Sequence, residues 1–210
     1  MALSHKDTSE INSGHGVLQD ETLINLANQY YTPLYVYDGN QILKNFKAFQ
    51  KAVSNLNSKV HFAVKANSSV AILSLLNTAG AGADIVSGGE LQRALNANIN
   101  PDNIIFSGVG KTDDELLLAM YHGIGQINIE SGAELDRIAA LAASNNFECS
   151  IALRVNVDVD PGSHEKISTG QNTTKFGIAL TDGQAESYYE RISSHPNLTP
   201  SGLAVHIGSQ

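Results

Sequence analysis

Lys65 ends a short apolar run, His61-Phe62-Ala63-Val64, and precedes a segment from Ser68 to Gly80 with helical character. Val60, Phe62 and Val64 alternate with period two, so the lysine is expected at a strand-to-helix turn, where βα-repeat proteins keep their active sites. An amine there suits imine chemistry, because partial burial disfavours the ammonium and sharpens the nitrogen as a nucleophile. The ordinary alternative is a surface lysine at a strand end, so the neighbouring residues must decide. Asp84 occupies a second short strand, and Glu90 opens the helix that follows the turn Ser87-Gly88-Gly89, whose amides are expected to lie open to a ligand. Glu90 also has a purely structural account, since a carboxylate in a helix's first turn complements the macrodipole.

Arg154 and Asn156 stand inside a third apolar strand. A guanidinium there is costly unless paired, so Arg154 is expected to face a barrel mouth and meet an anion or a carboxylate such as Asp84 or Glu90. A structural ion pair is the plainer possibility. His206 alternates with Val205 and Ile207 and is followed by Gly208 and Ser209, whose amide and hydroxyl suit a phosphate. A lone strand histidine otherwise reads as a satisfied core residue. Cys149, the only cysteine, enters an apolar strand and reads as a small buried thiol; no metal-ligating set is apparent.

Parallel βα repetition is the arrangement that brings such residues together. Apolar runs recur roughly every two dozen residues, at 60–64, 83–86, 104–106, 127–129, 151–157 and 203–207, a spacing that suits one βα unit each. Helix starts are legible between them. Asp38 with Gln41, Thr112 with Glu115, Ser131 with Glu134 and Thr181 with Gln184 all have capping-box spacing, and Gly80 and Gly123 fall where left-handed caps end helices. Ile42, Leu43, Phe46, Phe49 and Val53 form one apolar helical face. No Gly-rich dinucleotide fingerprint is present, which favours a barrel over an open sheet with a switch point. About six strand signals appear where a closed (β/α)8 barrel needs eight, so we expect a truncated barrel. The early β-like run Leu34 to Tyr37 is out of rhythm and is expected to belong to another domain.

Composition narrows the function classes. A formal charge of −8 with only 16% charged residues and no basic cluster argues against binding a phosphate backbone. The polar start of the chain lacks the apolar stretch of a signal peptide or membrane span, and a lone cysteine suits a reducing compartment; a cytoplasmic protein is expected.

The motifs HFAVKAN around Lys65, GAGADIVSGGEL at 80–91, FSGVGKT at 106–112, INIES at 127–131, ALRVN at 152–156, ISTG at 167–170, KFGI at 175–178 and HIGSQ at 206–210 belong together. From about Pro33 onward this combination resembles the pyridoxal-phosphate-dependent amino-acid decarboxylases of the alanine-racemase-like barrel. Within them, the stretch from His164 to Gly170 followed by Lys175-Phe176-Gly177 is similar to the branch that converts meso-2,6-diaminopimelate to L-lysine, rather than to the ornithine or arginine branches.

The resemblance implies an α/β fold, a partial TIM-type (β/α)8 barrel with about six of eight units and without the C-terminal β-domain of the family. It divides the chain into a leader at 1–32, disordered at its start, a strand at 33–38 belonging to the missing β-domain, and a truncated cofactor-binding barrel at 39–210. It implies pyridoxal 5'-phosphate as cofactor, joined covalently to Lys65, with His206 stacked on the pyridine ring and Ser209 donating to the phosphate. Asp84, Glu90 and Arg154 would form the charged network beside the imine, and Lys175 would lie near the interface of a homodimer. A small amino acid is the expected substrate, with neither nucleic acid nor membrane as partner, and a fragment of this length is expected to be inactive by itself. Decarboxylation of ornithine, arginine or a related basic amino acid remains an alternative, as do a non-enzymatic carrier of the same cofactor and a half-barrel that binds none.

Overall fold

The computed structural model describes residues 18–157, 177–180 and 183–207, which fall into two compact units meeting at Ser58 and Lys59. In the first unit, helix α1 (Asp20–Tyr30) lies within the expected leader, and helix α2 (Gly39–Ala52) begins where predicted. Asp38 caps α2, its carboxylate accepting from the amides of Asn40 and Gln41 at 2.8 and 3.2 Å. Of the predicted apolar face, Phe46 is buried and Phe49 stays exposed. Residues 34–37 pair with no strand among the described residues, and Tyr35 remains 88% exposed; β-branched and aromatic residues favour a ladder only where a partner strand exists.

The second unit is an arc of parallel strands wound with helices, as the repeat predicts. Strands β1 (His61–Ala63), β2 (Gly82–Ile85), β3 (Ile104–Phe106), β4 (Gln126–Ile129) and β5 (Cys149–Asn156) pair in chain order, and every pairing is parallel. A two-residue strand β6 (Ile178–Ala179), not foreseen, pairs with the end of β5, and β7 (Leu198–Ala204) runs along the same strand. Between them lie α3 (Val70–Thr78), α4 (Gly88–Asn96), α5 (Asp113–Tyr121), α6 (Gly132–Asn145) and α7 (Gln184–Ser194). The predicted last strand at 203–207 begins earlier, at Leu198. It carries a bulge between the pairs Ile151–Pro200 and Ala152–Gly202, where Pro200 has no amide to give the ladder.

Alternation within strands separates two environments. Outward residues such as Ile85, Ile104, Phe106, Ile127, Ile129, Ile151 and Leu153 are wholly or almost wholly buried under Leu91, Leu116, Leu135 and Ile138 of the helices. Inward residues are largely polar. The strands are therefore not uniformly apolar, as a fully packed parallel sheet would require. Gly82 is needed where it stands, because a side chain there would strike the His61 ring and the Asn103 carbonyl oxygen.

Helix boundaries follow the caps read from sequence, with instructive additions. Gly80 and Gly123 adopt φ of 91° and 61° and close α3 and α5, the amides of Ala81 and Ile124 reaching back to Leu76 and Ala119. Asn98 and Asn146 do the same for α4 and α6, a role asparagine fills because it tolerates the left-handed region. Thr112 and Glu115 form a reciprocal capping box. The expected Thr181 cap lies outside the described residues; α7 begins after Gly183.

Candidate active site

Along the inner wall of the sheet, out to the carboxyl ends of the strands, opens a cavity of about 550 Å³ lined by Lys65, Asp84, Arg154 and His206, with Ser107, Gln126 and Asn128 on its wall. Four of the six predicted site residues thus share one space. Lys65 reaches it from a single 3-10 turn, Val64–Ala66, that follows β1. Its side chain is exposed at the rim, so the burial expected to sharpen the amine is not supplied by the described residues. Asp84 sits in β2, directly beside Ala63 in the ladder. Arg154 sits in β5 opposite Ala204, just before His206.

The other two predicted residues stand differently. Ser209 lies outside the described residues, as do Lys175 and the stretch from His164 to Gly170. Glu90 is absent from the cavity lining; its Oε2 accepts the Val86 amide at 2.7 Å while Ser87 Oγ accepts the Glu90 amide at 3.2 Å. The turn preceding α4 is likewise committed, since the Gly88 amide donates to Glu115 Oε1 at 2.8 Å. The Gly88 amide is therefore not part of the open ligand site that glycine content suggested. The same construction recurs at α6, where Glu134 Oε2 accepts from the Glu130 amide at 2.8 Å and Ser131 Oγ from the Glu134 amide at 3.2 Å. Ser-Gly-Gly-Glu-Leu and Ser-Gly-Ala-Glu-Leu are one capping device used twice, with the carboxylate reaching one residue beyond the usual box.

Arg154 does find a carboxylate, but a different one: its Nη1 lies 2.8 Å from Oε1 of Glu130, whose side chain is 3% exposed. Asp84 Oδ1 instead accepts from Ser107 Oγ at 2.5 Å. Glu130 follows β4, one strand away from β5, and its proximity depends on strand register rather than on any local spacing. A second buried pair also escaped sequence reading. Lys111, 3% exposed, donates to Glu134 Oε1 at 2.8 Å, to the Asn128 carbonyl at 2.7 Å and to the Gly108 carbonyl at 2.6 Å. It thereby ties the glycine-rich loop after β3, which borders the cavity, to β4 and α6. A buried lysine in a glycine-rich loop was the available signal, since three acceptors match the three ammonium hydrogens.

Burial, more than charge, sets the state of the histidines. Burial holds His206 below its usual pKa, and the positive charges of Arg154 and Lys65 push the same way, against a smaller opposing pull from Asp84. His61, also on the cavity wall, is lowered chiefly by burial. Burial raises the Cys149 thiol to about 11, in keeping with an inert core role. Among the described residues, no group of three or more His, Cys, Asp or Glu side chains is placed to hold a metal ion, and no helix is long and apolar enough to cross a membrane.

These residues suit pyridoxal phosphate. An amine that can condense with an aldehyde, a flat imidazole held toward its neutral form and a carboxylate converge on a cavity roomy enough for a small aromatic ring. Lys65, Asp84, Arg154 and His206 would hold the group.

Comparison with known proteins agrees. The chain is 47% identical over 203 residues to diaminopimelate decarboxylase of Zymomonas mobilis, covering 95% of this chain and 48% of that one. The crystal structure of diaminopimelate decarboxylase from Helicobacter pylori complexed with L-lysine superposes with a TM-score of 0.85 at 38% identity, over 90% of this chain and 47% of that one. Diaminopimelate decarboxylase from M. jannaschii gives 0.82 at 35% identity, over 89% and 44%. The chain spans about half the length of the curated relatives it matches. Residues 39–210 match the family model of the pyridoxal-dependent decarboxylases, pyridoxal binding domain, and with a site of this composition at the strand ends the chain belongs to that family.

Proposed function

We propose that this chain is the cofactor-binding part of a decarboxylase that converts meso-2,6-diaminopimelate to L-lysine. The observation that carries the reading is the single cavity shared by Lys65, Asp84, Arg154 and His206 at the strand ends. When bound, pyridoxal phosphate supplies an aldehyde for amino groups and a conjugated ring that accepts the electrons released as carbon dioxide leaves. Lys65, with its side chain exposed at the rim, would hold the group through its Nζ. Asp84 presents its carboxylate to the same cavity as Lys65. His206, disposed to neutrality, offers a flat face without competing for the substrate's carboxylate. Arg154, anchored by Glu130, contributes fixed positive charge. Glu90 acts behind the site, holding the Val86 turn, and Ser209 is assigned to the cofactor phosphate.

The substrate assignment is supported by relatives named diaminopimelate decarboxylase, some solved with L-lysine. A homodimer in the cytoplasm, without nucleic-acid partners, fits the family resemblance and the charge of −8. On the same resemblance, residues 33–38 join a β-rich domain as a strand and 39–210 form the barrel portion. Two measurements test the proposal. Borohydride reduction of the protein with pyridoxal phosphate, followed by peptide mapping, is expected to place the adduct on Lys65; an unmodified Lys65 rejects the cofactor site. Carbon dioxide release by the polypeptide that the gene encodes is expected from meso-2,6-diaminopimelate. Release from ornithine or arginine instead would reassign the substrate, and an adduct without any release would make the protein a carrier.

A further inference from the structure

Asp84 ends a chain of side-chain hydrogen bonds that crosses the inner wall of the sheet. Ser201 Oγ of β7 donates to Gln126 Oε1 at 3.0 Å; Gln126 Nε2 of β4 donates to Asn128 Oδ1 at 2.7 Å. Asn128 Nδ2 then donates to Ser107 Oγ at 3.0 Å, and Ser107 Oγ donates to Asp84 Oδ1 at 2.5 Å. Every hydrogen is passed in one direction. The direction is imposed from the end, because a carboxylate only accepts. Ser107 must spend its one hydrogen on Asp84, which leaves its lone pairs to a donor, and that fixes the orientation of each amide in turn. Successive bonds polarise one another in a low-dielectric wall, so the last is the strongest and shortest.

We propose that Ser107, Asn128 and Gln126 are positioning residues whose one-way hydrogen-bond chain fixes the carboxylate of Asp84 toward Lys65 and His206. The inference rests on the reading of this cavity as the cofactor site, and it deepens that reading by assigning residues that reach the cofactor only through Asp84. Gln126 and Asn128 stand on the cavity wall, in a strand whose alternate residues, Ile127 and Ile129, are buried. Among the described residues, the charged groups that act on His206 include Asp84, Arg154 from β5 and Lys65 from the turn after β1.

The test reads His206 by proton NMR titration of the cofactor-free protein, its resonance assigned by loss in His206→Gln. Asp84 favours the imidazolium, so a carboxylate released from its tether weakens that pull. Ser107→Ala is expected to lower the His206 midpoint. Ser107→Thr, which keeps the hydroxyl, is expected to restore it, and Gln126→Met to lower it by less. In an Asp84→Asn background, Ser107→Ala is expected to shift nothing further. An unchanged midpoint in Ser107→Ala, or an equal shift in both backgrounds, overturns the proposal; should Ser107→Ala not fold, Gln126→Met carries the same comparison. Because this readout needs no cofactor, failure of Lys65 to form its adduct sinks the proposed function separately.

Discussion

Replacing Lys111 with Met tests the most consequential interaction that sequence reading missed. Methionine keeps most of the stem that packs beside Phe106, whose ring centre lies 5.6 Å from Nζ, and removes only the ammonium. Three acceptors then lose their donor: the carbonyls of Gly108 and Asn128 and Oε1 of Glu134. Glu134 keeps the Glu130 amide on Oε2 but is left as a carboxylate 8% exposed with no cation. Breaking a buried pair from one side costs about 3–5 kcal/mol, most of it the uncompensated charge. At about 2–4 °C per kcal/mol for a domain of this size, the melting temperature should fall by about 6–20 °C. Urea titration should show a lower midpoint with an unchanged slope. Lys111→Met with Glu134→Gln should recover about 1–3 kcal/mol of that loss, because the second change removes the stranded charge. A loss below about 1 kcal/mol, or strict additivity in the double variant, would refute the reasoning that this pair is a desolvated, mutually dependent one.

Glu130→Gln leaves Arg154 with a neutral partner in a site where both side chains are nearly inaccessible, and should destabilise the protein by about 2–4 kcal/mol while weakening pyridoxal phosphate retention; denaturation and fluorescence titration read the two effects. Glu115 is held below its ordinary pKa, first by the Gly88 amide and then by that of Thr112. A depressed carboxylate contributes stability that is present above its unfolded value and lost as pH falls through the folded one, so Glu115→Gln should flatten the acid limb of stability below about pH 4.3. His206 and His61 act in a higher window. Both are lowered, so the unfolded chain binds protons first, and stability should decline as pH falls from about 6.5 toward their folded values; parallel melts of the parent and His61→Gln at stepped pH check this. Cys149, raised to about 11 and buried, should resist alkylation at neutral pH until denaturant is added, as a timed thiol assay would show.

Much of the architecture was legible because its causes are local. Periodicity located β1 to β5 but caught only the end of β7, and short-range hydrogen bonds placed the helix starts at Asp38, Thr112 and Ser131 and the ends at Gly80 and Gly123. The tiny β6 left no signal, because two residues carry no period. Leu34 to Tyr37 has strand propensity without a ladder among the described residues, because that propensity expresses a fit to neighbours.

Residue identities alone determined that an amine, a carboxylate, a guanidinium and an imidazole would lie in or just after parallel strands, here β1, β2, β5 and β7, since chain order and the βα repeat put all strand ends on one side. Tertiary structure decided how those groups are employed. Register set Glu130, and not Glu90, against Arg154; helix capping claimed Glu90 for the Val86 amide; the bulge in β7 brought Ser201 to Gln126 while still setting Ala204 beside Arg154. Capping and periodicity act over three or four residues and can be read along the chain. A contact across 24 residues, such as Arg154 to Glu130, exists only once neighbouring strands have locked in register, and no spacing in the sequence encodes that registration.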